Sequence, residues 1–169
     1  MIMKPSKTSH AAAPAGGQTR PQASHSNHIL VVDDESAIRL MIDNVLVRSG
    51  YHVDTAEDGE MGWAALLSKS YDLLITDNNM PKVSGLELVK KLRSADLALP
   101  VILVSGAMPT QELNRHPWLQ VAATLLKPFT GDELVEIVKK VLCETGSSRE
   151  QLKPETIWPS RPAVHSFPV

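Results

Sequence analysis

The chain has 169 residues, 43% of them hydrophobic, and a formal charge of −2, room for one core of roughly 100–150 residues plus flanking segments. So near-neutral a balance provides no basic field to gather nucleic acid, and no apolar run approaches the ~20 residues of a membrane helix, so neither direct nucleic-acid binding nor membrane insertion is expected. Cys143 is the only cysteine, which excludes an internal disulfide and a cysteine-rich zinc site, fits a reducing cytoplasm, and reads as a small buried apolar residue.

Residues 1–27 mix Ala, Gly, Pro, Ser, Gln and His with few large apolar groups, too few to offset the entropy of ordering, and are expected to form a disordered tail. Lys4 and Lys7 lack the apolar run of a secretory signal after them, so export is not indicated. The run Ile29-Leu30-Val31-Val32 ending in Asp33-Asp34 reads as a buried parallel strand that emerges in charge at the carboxyl edge of a sheet. Ile38, Met41, Ile42, Val45 and Leu46 then recur at helical spacing, with Gly50 where that helix ends. Residues 51–56 alternate as an edge-type strand, and 60–67 predict a weaker helix containing Gly62. A buried run over 71–76 leads to Asp77. Pro81 and Gly85 mark a loop, and Leu86, Leu88, Val89 and Leu92 predict a third helix ending near Arg93.

Residues 100–105 form another buried-strand run that ends on Ser105. The next segment, 110–119, starts as a helix, but Pro117 predicts a short or broken one, and Trp118 within it is expected in the core. A fifth strand is predicted over 122–126, and Thr130-Gly131-Asp132-Glu133 has capping-box spacing before Leu134, Ile137, Val138, Val141 and Leu142. From 145 onward Pro154, Pro159, Pro162 and Pro168 are interspersed with Trp158 and Phe167, a Pro-rich tail too short for a second core. Five alternating βα units over 28–144 predict an α/β fold, a parallel sheet with helices on both faces.

Asp33, Asp34 and Asp77 fall at strand ends that would lie side by side. Three crowded negative charges require a cation, and oxygen donors suit Mg²⁺ better than zinc. Taken singly, these acids fit helix caps, Ser105 a turn hydroxyl, Lys127 a surface cation and Pro128 a loop proline. Their shared edge argues for a site.

The ordered set Asp33-Asp34, Asp77-Asn78-Asn79-Met80-Pro81 with Ser84-Gly85, Ser105 and Lys127-Pro128-Phe129 resembles the receiver domain of two-component response regulators, over about residues 28–142. That resemblance implies a five-stranded, doubly wound, flavodoxin-like (βα)5 sandwich of strand order 2-1-3-4-5, with a cis bond before Pro128. It implies that Asp77 accepts a phosphoryl group, that Asp34 and Asp77 ligate Mg²⁺ directly, and that Asp33 acts partly through water. The backbone carbonyl of Asn79 completes the protein ligands, while Lys127 and Ser105 meet the phosphoryl oxygens. The expected function is that of a cytoplasmic single-domain response regulator. A histidine kinase or histidine phosphotransfer protein, docking near the first helix, supplies the phosphoryl group, and a downstream protein target reads the result. Such a protein is a signalling phosphoacceptor that catalyses only its own phosphorylation and dephosphorylation.

Two alternatives use the same residues: a phosphorylation-independent receiver-fold scaffold, and a phosphohydrolase similar to haloacid-dehalogenase-like enzymes, with Asp33 as nucleophile and Glu35 as second acid. One position departs from the resemblance, because Thr124 stands where many receivers carry an aromatic residue that swings inward. A small polar side chain puts that coupling in question. Asn79 and Ala107 lie where hydrolytic water would approach, and neither offers a general base.

Overall fold

The computed structural model describes residues 26–150, with side chains through residue 145. The segment 1–25 and the tail residues Trp158 and Phe167 lie outside the described residues. Five strands alternate with helices: β1 (His28–Val32), α1 (Ser36–Arg48), β2 (His52–Ala56), α2 (Gly59–Ser68), β3 (Leu73–Asp77), α3 (Gly85–Ser94), β4 (Val101–Ser105), α4 (Thr110–Arg115), a 3₁₀ turn (Pro117–Leu119), β5 (Ala123–Leu126) and α5 (Gly131–Glu150). All strand pairs are parallel, and the order is β2-β1-β3-β4-β5. This is the flavodoxin-like arrangement, in which the order reverses between β1 and β3 and a crevice opens at their carboxyl ends.

Alternation along the strands divides the core. Leu30, Val32, Leu74 and Leu103 pack with Leu88 and Leu92 of α3 and with Leu119. Ile29, Val31, Ile75, Ile102 and Val104 face the other way, toward Ile42 and Leu46 of α1 and Leu134 and Val138 of α5. Two apolar layers explain why β3 and β4 are buried along their whole length, while the edge strand β2 buries only Ala56. The interior Gly62 of α2 is where the helix meets the sheet, since a Cβ there would come within 2.9 Å of a Val32 methyl. A residue that weakens the helix locally is therefore the one that lets it pack.

Local signals place the helix starts. Ser84 and Glu87 form a reciprocal capping box at α3, with the Ser84 N–H donating to Glu87 at 2.8 Å and the Glu87 N–H to Ser84 Oγ at 3.3 Å. Thr130 and Glu133 repeat the pattern at α5. Asp58 caps α2 by accepting from the Glu60 and Met61 N–H groups. The broken helix is present as six residues of α4 followed by the 3₁₀ turn after Pro117.

Two expectations are corrected. Trp118 is 49% exposed, and the adjacent Leu119 takes the core position at 0%; the 3₁₀ turn rotates about 120° per residue, so neighbouring side chains diverge. Cys143 is exposed rather than buried. The inward row of α5 is Leu134, Val138 and Val141, and a residue two beyond Val141 is turned roughly 200° away from it.

Candidate functional site at the carboxyl edge

Every residue singled out at a strand end sits along the carboxyl edge of this sheet. Asp33 follows β1 and is 1% exposed; Asp77 closes β3 at 2%. Their strands are hydrogen-bonded neighbours, so two carboxylates are held beside each other out of water. Lys127, immediately after β5, joins them: its Nζ lies 2.8 Å from Asp77 Oδ1 and 3.2 Å from Asp33 Oδ2. A third carboxylate, Glu35, reaches the same ammonium at 3.2 Å from the solvent side.

The second oxygen of each carboxylate accepts from backbone. The Asn79 N–H donates to Asp77 Oδ2 at 2.6 Å, and the Glu35 N–H donates to Asp33 Oδ1 at 2.8 Å. Arg39 on α1 donates a guanidinium N–H to the Asp33 carbonyl. The Asn78 N–H bonds to the Val104 carbonyl at 2.8 Å, and the Lys127 N–H to the Ser105 carbonyl at 2.9 Å, fastening the loops after β3 and β5 to β4. Ser105 is 2% exposed, and its Oγ accepts from the Ala107 N–H at 3.3 Å. The Lys127–Pro128 peptide bond is cis.

Electrostatics follow from burial. Loss of hydration raises the Asp33 carboxyl above its ordinary value; the Glu35 N–H and the Lys127 charge oppose that rise, and the neighbouring Asp77 adds to it. Burial by itself would lower the Lys127 ammonium, but its hydrogen bond to Asp77 and the charges of Asp33 and Asp77 outweigh burial and push it up. Lys127 is therefore a fixed cation.

A divalent cation suits part of this set. Asp33 and Asp77 supply a hard, all-oxygen pair whose buried charge calls for compensation, and Mg²⁺ is commonly held by one or two carboxylates while keeping several waters. Asp34 is exposed, and among the described residues no three His, Cys, Asp or Glu side chains are grouped to cage an ion.

Gly85 is the residue whose importance the loop reading understated. A Cβ there would stand 2.3 Å from the Asp77 carbonyl oxygen and 3.0 Å from its carbonyl carbon, so only glycine lets the start of α3 lie against the strand end that carries Asp77. The Glu35 contact with Lys127 was also missed. Its only sequence signal was an acid directly after the Asp33-Asp34 pair. Thr124 is partly exposed, with its hydroxyl 3.5 Å from the sulfur of Met108.

Known proteins are similar to this chain. Residues 29–139 match the response regulator receiver domain. The chain is 36% identical over 111 residues to the transcriptional regulatory protein DltR of Streptococcus agalactiae, covering 66% of this chain and 50% of that protein. It is 35% identical over 120 residues to the phosphate regulon regulator PhoB of Pseudomonas aeruginosa, covering 70% and 52%. The chain thus spans about half the length of these curated relatives. Among solved structures, the response regulator TrrA of Thermotoga maritima in complex with Mg²⁺-BeF is 38% identical, covering 68% of this chain and 98% of that one at a TM-score of 0.61. The chemotaxis response regulator CheY4 of Vibrio cholerae is 29% identical, covering 69% and 98% at a TM-score of 0.64. With the strand order and the family match in agreement, the chain belongs to the response regulator receiver family.

Proposed function

We propose that residues 28–144 act as a phosphoacceptor switch in the cytoplasm. Asp77 takes a phosphoryl group from the phosphohistidine of a kinase or phosphotransfer protein, and the modified domain changes its binding to a downstream protein. The supporting observation is the Lys127 ammonium held between two buried carboxylates, one of them Asp77 at 2.8 Å. In the transfer, an Asp77 carboxylate oxygen forms a bond to phosphorus while the P–N bond to the donor imidazole breaks, and the electron pair leaves with the imidazole nitrogen. Lys127 places a point charge against the phosphoryl oxygens, and Ser105, whose Oγ accepts from the Ala107 N–H, donates a hydrogen bond from its hydroxyl to the adduct.

A bound Mg²⁺, as in the Thermotoga relative, would supply charge neutralisation to the phosphoryl oxygens that otherwise repel a carboxylate. Asp33, Asp34, Asp77 and the Asn79 backbone carbonyl are the groups to hold it. The Asn79 amide and the Ala107 methyl offer no proton acceptor, so hydrolysis of the adduct depends on how water is oriented.

The test is intact-mass analysis after incubation with acetyl phosphate and Mg²⁺. A single phosphoryl adduct is expected, absent in Asp77→Asn and absent with EDTA. An adduct that persists in Asp77→Asn overturns the assignment, as does the lack of any adduct with both acetyl phosphate and a phosphohistidine donor.

A further inference from the structure

Glu35 is a charged neighbour of the site with no role in the chemistry above. Its backbone is fixed on both sides, because the Glu35 N–H donates to Asp33 Oδ1 at 2.8 Å and the Glu35 carbonyl accepts from the Arg39 N–H at 3.0 Å at the start of α1. The side chain is a different matter: it is 61% exposed, yet its Oε1 lies 3.2 Å from Lys127 Nζ. Lys127 therefore has three anionic partners, two buried and one at the solvent rim.

We infer that Glu35 is a positioning residue that tunes phosphoryl transfer by competing with the incoming phosphoryl group for the Lys127 ammonium. The inference rests on the reading of Asp77 as the acceptor. A dianionic phosphoryl group approaching Asp77 needs the ammonium that Glu35 partly occupies, and Glu35 also adds a negative charge to the mouth through which an anionic donor enters. Asp33 and Asp77 are buried and each is held by a backbone N–H, so neither carboxylate can leave the ammonium by turning into bulk solvent. Glu35 can yield by rotating into solvent, and it returns when the adduct is gone. It thus opposes gain of the phosphoryl group and favours its loss, acting through Lys127 and touching neither donor nor acceptor.

The experiment measures the rate of Asp77 labelling by acetyl phosphate and the rate of label loss after donor removal. The unaltered chain, Glu35→Gln and Glu35→Asp are compared at saturating Mg²⁺ and at low and high salt. In labelling, an Asp77 oxygen bonds to phosphorus as the bond between phosphorus and the acetate oxygen breaks and acetate leaves with the electron pair. Glu35→Gln should label about two- to fivefold faster and lose label more slowly by a similar factor, the range open to one solvent-exposed ion pair. Glu35→Asp should restore most of the original behaviour, and the labelling rate of Glu35→Gln should depend less on salt. A purely structural role would not shift the salt dependence. Equal rates in Glu35→Gln and the unaltered chain, or unchanged salt dependence, overturn the inference and leave the acceptor assignment standing. Failure of the unaltered chain to label with acetyl phosphate and also with a phosphohistidine donor overturns both.

Discussion

Two ion pairs of identical length sit at opposite edges of the sheet. At the carboxyl edge Lys127 Nζ lies 2.8 Å from Asp77, with side chains 18% and 2% exposed; at the amino edge Lys69 Nζ lies 2.8 Å from Asp54, with side chains 57% and 31% exposed. Asp54 even gathers more side-chain partners than Asp77, since Tyr71 donates to the same Asp54 oxygen at 2.8 Å and His28 Nε2 lies 3.2 Å away. Distance therefore does not distinguish the two clusters. Burial does: water screens the amino-edge charges, whereas at the carboxyl edge each charge depends on the other. Packing differs in the same sense. Gly85 is pressed against the Asp77 carbonyl, while a cavity of about 300 Å³ opens at the amino edge between Lys69, Tyr71 and Leu99.

The largest expected effect tests the tight edge directly. Gly85→Ala must push the α3 start away from Asp77, and should cost about 3 kcal/mol or more in urea unfolding while abolishing Asp77 labelling. Little change would mean that the edge has slack. Next, Lys127→Met leaves Asp33 and Asp77 facing each other without their cation, and should destabilise by about 2–3 kcal/mol in metal-free buffer, a buried-pair loss discounted for the partial opening to solvent.

Acid titration of stability should separate the edges by sign. The Asp33 carboxyl is raised by burial, so the folded state binds its proton first. Asp33 thus contributes stability that grows as pH falls from its raised folded value toward 3.8. Asp54 is lowered, chiefly by the Lys69 hydrogen bond, so its contribution is present above 3.8 and is lost as pH falls through its folded value. Asp33→Asn should remove the first slope and Asp54→Asn the second, followed by urea midpoints in EDTA. The smallest effect is that of Lys69→Met, which should cost under about 1 kcal/mol despite the 2.8 Å distance. A cost equal to that of Lys127→Met would erase the distinction drawn between the edges.

Much of this was legible before folding. Apolar runs ending in Asp33, Asp77 and Ser105 marked strand ends because a strand buried on both faces is mostly apolar, with no charged residue until it reaches the edge. The capping box at Thr130 and the interruption at Pro117 are local chemistry, complete within four residues, and the structure has them where the spacing placed them; the box at Ser84 is equally local but emerges only in the structure. Trp118 and Cys143 were misplaced for one reason. Residue type indicates a preference for burial, but orientation on a particular turn decides which neighbour satisfies it, and Leu119 and Val141 occupy those positions.

The sequence by itself determined the βα rhythm, the residues at each strand end and the cap of α5, because these depend on side chains a few positions apart. Only the tertiary structure decided that Lys127 meets Asp33, 94 residues away in the chain, that Glu35 joins them, and that Gly85 admits nothing larger beside Asp77. Those facts depend on where β1, β3 and β5 end relative to one another. Packing of two apolar layers sets that alignment, and no local run of residues encodes it.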